Sequence, residues 1–557
     1  MHIVFAASEC VPFAKTGGLA DVVGALPPEL VKLGHRVTVY LPLYRTVRPF
    51  LPEELTFAVR SITIPFPYYN RFAGIVDGGV RDGVQFYFVD CPELFDRDGF
   101  YGPKTGAGDY GDNAERFGLF CRAVLEASKQ LGVPEIFHVH DWQAALLPVL
   151  LKTVYYFDPA LRTAAVVLTI HNAGYQGWFP PNTVPQLLLP WDLFTLDKVE
   201  QNDTFNCLKG GLVYSDYLTT VSPTYAGEIQ TAEFGEGLEP VLSRRHWDLR
   251  GILNGVDYSK WDPARDPKLA AHYSAEDMDG KVECRKDLLH AFGLTDVPET
   301  TPVIGIVSRF ATQKGFDFVA QIADQIIERN LVLVVLGSGE PYYENFFRSF
   351  AARRPHQVAV QVKYDDALAH KVEAGSDMFL MPSRYEPSGL NQMYSLKYGT
   401  VPVVRATGGL EDSVEEWDAE TGTGTGFKFY GYRPQDLMAA VDRALSAFLD
   451  KDGWRKLMRA AGRFIYQITD LRPPPPIFNF LIRSGPVDAR EAYATFNMGV
   501  GFAVFVSAAD AQRCIGCAKS AGYDAWVGGT VIKDGNRKAV EIIPLGLTYE
   551  ADTLNLR

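Results

Sequence analysis

Short, continuous apolar runs alternate with segments of helical period along the first half of the chain. HIVFAA comes first, LADVVGALPPELVKLG follows with apolar positions three and four apart, and HRVTVYLPL comes next; FHVHD, AAVVLTIHN and DYLTTVS repeat the strand-like pattern further on. Runs that are apolar at consecutive positions predict strands buried on both faces, and the helical segments between them predict parallel crossovers. From about Pro302 the same alternation restarts with PVIGIVSR, GFDFVAQIADQIIER, LVLVVLG, DMFLMPS and TVPVVRA. The expected fold class is α/β, with two doubly wound, Rossmann-like domains over residues 1–260 and 261–470. In such sheets ligands sit beyond the carboxyl ends of the strands, so the loops just after these runs are where chemistry is expected.

Beyond about Ala461 the pattern changes. LRPPPPIFNFLIRSG contains four consecutive prolines, which cannot continue a helix and favour an extended linker. Residues 473–557 then read as a small α/β fragment built from FAVFVS, the helical stretch AADAQRCIGCAKSAG, AWVGGTVI and AVEIIPLGL. A unit of under about 90 residues is marginal for an independent core. Cys514 and Cys517 fall at i, i+3 on its helical stretch, a spacing that suits packing more often than redox chemistry or zinc.

Composition narrows the possibilities. With 47% hydrophobic and 22% charged residues over 557 positions, the chain is globular and long enough for several domains. Lys plus Arg number 54 against 67 Asp plus Glu, a net charge of −13, which argues against a protein that coats nucleic acid or an anionic membrane. Any anionic ligand must therefore be met by local cations. VLVVLG and AAVVLTI, among the longest apolar runs, are far shorter than the roughly 20 residues of a membrane span. Met1 leads straight into a strand-like run with no signal-peptide pattern. Cys10, Cys91, Cys121, Cys207, Cys284, Cys514 and Cys517 are odd in number and scattered, which is no disulfide framework; a reducing cytoplasm is expected.

The post-strand loops carry the candidate chemistry. Lys15 and the Gly17-Gly18 pair precede a helix after the first strand, where backbone N–H groups and a helix N-terminus suit a diphosphate; an ordinary tight turn with a surface lysine fits the pattern equally. It is not GxGxxG, so the dinucleotide fingerprint is absent here. Arg309 ends a strand and Lys314 opens the next helix, two cations that suit a diphosphate leaving group, or else a solvated helix start. Glu386 follows the strand DMFLMPS and precedes Ser388-Gly389-Leu390 and a helix; a carboxylate there can bind sugar hydroxyls or stabilise an oxocarbenium-like centre. Thr407-Gly408-Gly409 repeats the motif of glycines at a helix entrance. In the first half, HVHDWQ places His138, His140 and Asp141 after a strand, and TIHNAGYQG places His171 after another; without a further His/Cys cluster these read as turn and core polar groups before a metal site.

KTGGLADVVGALP, HVHDWQA, TIHNAGYQG, VSPTYAGEI, GILNGVD, SRFATQKG and SRYEPSGLNQMYSLKYGTVPVVRATGGLEDSV, in this order over residues 1 to about 460, resemble the bacterial glycogen synthases and plant-type starch synthases. These are retaining GT-B glucosyltransferases that use ADP-glucose. The resemblance implies that Lys15 and the Gly17-Gly18 turn contact the donor diphosphate, that Arg309 and Lys314 hold its phosphates, and that Gly408-Gly409 supply backbone N–H groups nearby. It places Asp141, His171 and Asn254 facing the glucose and the acceptor path, and Glu386 at the acidic position of an E-x-x-G loop in which Ser388 occupies a variable place. It also implies departure of ADP and attack by the acceptor 4-hydroxyl of an α-1,4-glucan on one face of the sugar, with the leaving phosphate as base. No cofactor and no metal are expected, because protein cations neutralise the charge.

EAYATFNMGVGFAVFVS, GYDAWVGGTVI and IIPLGLTYEADTLNLR resemble instead the carboxyl-terminal end of phosphoribosylaminoimidazole (AIR) synthase, without that enzyme's ATP-binding half. RFIYQITDLRPPPP stands where the synthases continue into a terminal helix, as a gene fusion or gene-joining error would produce. A sugar-nucleotide epimerase or phosphorylase of the same architecture, a catalytically impaired polyglucan-binding protein, or a bifunctional fusion are the alternatives these loops leave open.

Overall fold

The computed structural model describes residues 1–104, 108–258, 260–459, 465–468, 508, 510–520, 523–532 and 539–550. The first domain holds β1 (His2–Ala6), β2 (Arg36–Pro42), β3 (Phe57–Pro65), β4 (Asn70–Arg81), β5 (Val84–Asp90), β6 (Ile136–His140) and β7 (Ala165–Ile170). After a small separate sheet of β8 (Trp178–Phe179), β9 (Glu200–Gln201) and β10 (Thr204–Asn206), it adds β11 (Tyr217–Thr220) and β12 (Leu249–Gly251). The main sheet runs β12-β11-β7-β6-β1-β2-β5-β4-β3. Phe5, Val39, Phe88, Phe137, Val139, Val166 and Leu168 are fully buried along it, as strands covered on both faces by helices require.

The sheet is not parallel throughout. β3, β4 and β5 form an antiparallel meander at one edge. β4 and β5 are joined by Asp82-Gly83 alone, both at positive φ (50° and 78°), and a two-residue connection can only make a hairpin.

The second domain contains β13 (Val303–Phe310), β14 (Val332–Gly339), β15 (Val358–Val362), β16 (Met378–Met381), β17 (Val401–Arg405) and β18 (Phe427–Phe429), ordered β15-β14-β13-β16-β17-β18 and parallel in every pairing. The segment that joins the domains is anchored on the second. Trp261 stacks on His370 and Tyr394 with ring centroids 3.6 and 3.9 Å apart, and buried Asp266 accepts hydrogen bonds from His370 Nδ1 (2.5 Å) and the Tyr398 hydroxyl (2.6 Å).

Each sheet has a point where its strand order reverses, between β1 and β6 in the first and between β13 and β16 in the second. Crevices open at such points beyond the carboxyl ends. The segments after β1 and β6 hold Lys15–Gly18 and Asp141; Arg309 stands at the carboxyl end of β13 itself, and the segments after β13 and β16 hold Lys314 and Glu386.

A four-stranded sheet lies in the tail, ordered β20 (Gly529–Ile532), β19 (Ile465–Ile468), β21 (Ala539–Ile542), β22 (Leu547–Glu550). β19 pairs with both β20 and β21, so this sheet draws its first strand from before the proline run. The proline run 473–476 and the FAVFV segment lie outside the described residues. Cys514 and Cys517 sit on the helix Ala511–Ser520, half-buried and exposed, and all seven cysteines are free thiols. Among the described residues no helix is long and apolar enough to cross a membrane.

Candidate active site

A cleft of about 600 Å³ is lined from both domains, by the loops after β1, β6 and β7 on one wall and by those after β13, β14, β15 and β16 on the other. Lys15, Gly17, Gly18, Asp141, His171, Asn254, Arg309, Lys314, Glu386, Ser388, Gly389 and Leu390 all line it. Thr407, Gly408 and Gly409 do not.

After β1 the chain turns through Glu9, which is 3% exposed, and its carboxylate fills the first part of the lysine-glycine loop. It accepts from the Thr16 amide, from Thr16 Oγ1 at 2.6 Å and from the Gly17 amide at 3.3 Å, while the Tyr101 hydroxyl donates to it at 2.6 Å. The Gly17 N–H expected to meet a diphosphate is thus already engaged by an internal anion. What remains for a ligand is Lys15 and the start of the helix Gly18–Lys32, whose N-terminus has no side-chain cap. A Cβ on Gly17 or Gly18 would meet nothing within 4 Å, so packing within the chain does not require glycine there. Lys15 pairs with Asp21 at 2.7 Å, and both are partly exposed, so the pair holds the lysine only weakly.

On the second wall, Arg309 is exposed to the cleft and pairs with no carboxylate among the described residues. Lys314 follows on a short turn that ends at Gly315, whose φ of 75° and close approach to the Pro382 carbonyl exclude a side chain. That turn brings Lys314 Nζ to 2.6 Å from Glu386 Oε2, to which Ser383 Oγ also donates at 2.9 Å. Glu386 is only 6% exposed, so the pair is largely desolvated and the carboxylate is fixed in one orientation.

Gly408 and Gly409 require a correction to the reading drawn from their sequence. The Gly408 amide donates to Glu228 Oε1 at 3.1 Å, and Thr407 Oγ1 donates to the same oxygen at 2.8 Å. The Gly409 amide donates to the carbonyls of Glu386 and Pro387, each at 3.1 Å. A Cβ on Gly408 would collide with the Glu386 carbonyl, and one on Gly409 with that of Ser388. These glycines therefore back the Glu386 loop at close range, with their N–H groups satisfied by protein, instead of presenting them to a phosphate. Glu228 belongs to the helix Pro223–Glu228 of the first domain, which also meets the second where Thr224 donates from its amide (3.0 Å) and hydroxyl (2.6 Å) to Asp412.

Asp141 opens a one-turn helix with φ at +53°, a strained value for a side-chain-bearing residue. Its carboxylate accepts the His171 amide at 2.7 Å, and burial raises its pKa to about 7. Burial lowers His171 to about 3 and His138 to about 4, and His140 falls as well, so all three imidazoles are neutral at pH 7. His138 Nε2 pairs with Thr169 Oγ1 at 2.7 Å and His140 Nδ1 with His171 Nε2 at 3.0 Å. Among the described residues no group of three or more His, Cys, Asp or Glu is placed to hold a metal ion.

Several cleft residues carried no signal in the sequence. Glu9 and Tyr101 are joined only by folding, 92 positions apart. Tyr364, Asp365 and Asp366 after β15 also line the cleft, as do Tyr394 and, from the connecting segment, Trp261.

Residues 2–244 match the family model described as starch synthase catalytic domain, and residues 294–456 that of glycosyl transferases group 1. The chain is 60% identical over 460 residues to a glycogen synthase of Koribacter versatilis, covering 82% of this chain and 93% of that protein. It is 48% identical over 460 residues to a glycogen synthase of an Anaeromyxobacter species, covering 82% and 94%. Among solved structures, the catalytic domain of starch synthase IV from Arabidopsis thaliana, bound to ADP and acarbose, superposes with a TM-score of 0.75 at 33% identity, covering 83% of this chain and 95% of that one.

Proposed function

From the premise that the chain belongs to the glycogen and starch synthase family, and is a GT-B glycosyltransferase with a nucleotide-sugar donor and a glucan acceptor, we propose that its donor is ADP-glucose and that it extends the non-reducing end of an α-1,4-glucan with retention. The observation that carries this reading is the convergence of three cations with one fixed carboxylate: Lys15 from the first domain, and Arg309, Lys314 and Glu386 from the second, line the same cleft. The ADP bound to the Arabidopsis relative supports the choice of nucleotide.

In this reading the diphosphate lies between Lys15 and the exposed Arg309. Neither is held by a strong partner, so both are available to the charge that grows as the sugar–phosphate bond breaks. Arg309 offers a bidentate fork, Lys314 a point charge. Lys314 also tethers Glu386, which binds the glucose hydroxyls from the second wall, while Asp141, His171 and Asn254 meet the sugar and the acceptor path from the first. Ser388, Gly389 and Leu390 shape the loop beside the diphosphate. The acceptor 4-hydroxyl attacks on the face from which ADP departs, and the leaving phosphate takes its proton. Since protein cations supply the neutralisation, we expect no cofactor or metal requirement, and unchanged turnover in the presence of a chelator.

We further propose that the protein works in the cytoplasm, with the synthase domains divided as 1–260 and 261–470. The tail derives from an AIR-synthase end and has no purine-synthetic activity. The deciding experiment follows labelled glucose from ADP-glucose into glycogen, with UDP-glucose in parallel. Label released by enzymes specific for α-1,4 bonds is expected from ADP-glucose; equal incorporation from UDP-glucose, or a β-linked product, overturns the reading.

A further inference from the structure

His171 lines the cleft at 9% exposure, yet one of its nitrogens faces away from any ligand, toward a second buried imidazole. His140 Nδ1 and His171 Nε2 lie 3.0 Å apart, and His140 is fully buried. One proton must sit between these two nitrogens, on one or the other. The choice is made on the far side of His140, where Nε2 is buried and has no hydrogen-bond partner among the described residues. If His171 donated, the neutral His140 would carry its proton on that orphaned Nε2, a buried N–H with nothing to receive it. If His140 donates from Nδ1, Nε2 is a bare lone pair. Orphaned buried N–H groups are the rarer of the two in proteins, and an unmet donor keeps its full desolvation cost.

We propose that His140 is a positioning residue that holds His171 in the tautomer protonated at Nδ1, so that His171 offers the cleft a hydrogen-bond donor and not an acceptor. The His140 ring is itself fixed. It stacks on Phe5 with centroids 5.4 Å apart at 19°, and lies 4.3 Å from the His138 ring, which Thr169 Oγ1 holds at 2.7 Å and Thr219 Oγ1 backs in turn at 2.7 Å from Thr169. Asp141 and His140 divide the work: the carboxylate takes the His171 backbone amide, and the imidazole sets its ring. Burial keeps all three histidines neutral at pH 7, so the donor is an imidazole N–H and not an imidazolium. A neutral donor suits an uncharged sugar hydroxyl; that part rests on the glucosyl-transfer reading above, whereas the tautomer does not.

The test separates the two. Long-range 15N–1H spectra of the full chain labelled at histidine, with His171 identified by the signal lost in His171→Gln, report the tautomer without turnover. A protonated Nδ1 and a bare Nε2 are expected; a proton on Nε2, or an imidazolium at pH 7, overturns the proposal. His140→Phe keeps a ring to stack on Phe5 but cannot donate. It is expected to release the tautomer and lower kcat about tenfold, with the KM for ADP-glucose little changed. His140→Asn, whose amide can donate from near the Nδ1 position, is expected to restore both. If His140→Phe folds and keeps the parent spectrum and rate, or if His140→Asn behaves no better than His140→Phe, His140 does not position His171; the parent spectrum decides even if neither variant folds.

Discussion

Asp141 combines a left-handed backbone with a buried carboxyl whose pKa is raised to about 7, and both features set its effect on stability. In the unfolded chain an aspartate ionises near 3.9, so between about pH 4 and pH 7 the unfolded state releases a proton that the native state keeps. Native stability therefore falls as the pH rises through that window, by as much as about 4 kcal/mol, and levels off above it. Asparagine has no proton to lose, tolerates the +53° φ and can accept the same His171 amide. Asp141→Asn is expected to exceed the parent in stability at pH 8 by more than at pH 4, while glucosyl transfer falls; urea titrations at the two pH values check it, and parallel pH profiles would refute it. For the cations, Arg309→Ala and Lys314→Ala are expected to reduce turnover about a hundredfold, since each acts on charge that appears only as the bond breaks. Glu386→Ala is expected to reduce kcat more than it weakens nucleotide binding. Steady-state kinetics with titrated ADP distinguish these outcomes, and near-normal rates in both cation variants would remove the phosphate clamp from the mechanism.

At the scale of elements, two glycine pairs with the same local look do different work. Gly17 and Gly18 open the helix Gly18–Lys32 with space around them, whereas Gly408 and Gly409 open the helix Gly408–Ser413 pressed against the backbone of the Glu386 loop. Gly17→Ala is expected to leave thermal stability within about 1 kcal/mol, because the methyl meets no protein atom, yet to raise the KM for the donor severalfold. Gly409→Ala is expected to cost stability and to lower kcat, since the Glu386 loop must move to admit a Cβ. Melting curves beside donor kinetics separate the two; a Gly409→Ala protein with parental stability would contradict the packing role.

The whole molecule joins two synthase domains to a tail whose sheet begins at Ile465. A cut at 473 would leave β19 without β20 and β21, its partners, so the cleaner truncation ends at Arg459. Removing everything after Arg459 is expected to leave glucosyl transfer largely intact, because both walls of the cleft come from residues 9–394. A large loss of activity in that assay would show that the tail contributes to glucosyl transfer, and formation of aminoimidazole ribotide by the intact chain would overturn its silence.

The strands, their helical crossovers, the restart near Pro302 and the strand ends and loops bearing Lys15, Arg309, Lys314 and Glu386 follow from local patterns: periods of hydrophobicity, and cations or glycines placed at or just after the ends of apolar runs. Such patterns are contained within a few residues, so one chain suffices to read them. Which amides stay available is not local. Glu9 takes those of Thr16 and Gly17, and Glu228 takes that of Gly408 from 180 positions away. Nor does a run of His-Val-His-Asp reveal that the first imidazole pairs with Thr169 and the second with His171, each 31 positions away. Buried donors and acceptors must find partners wherever the fold brings them, and only the tertiary structure decides which partners those are.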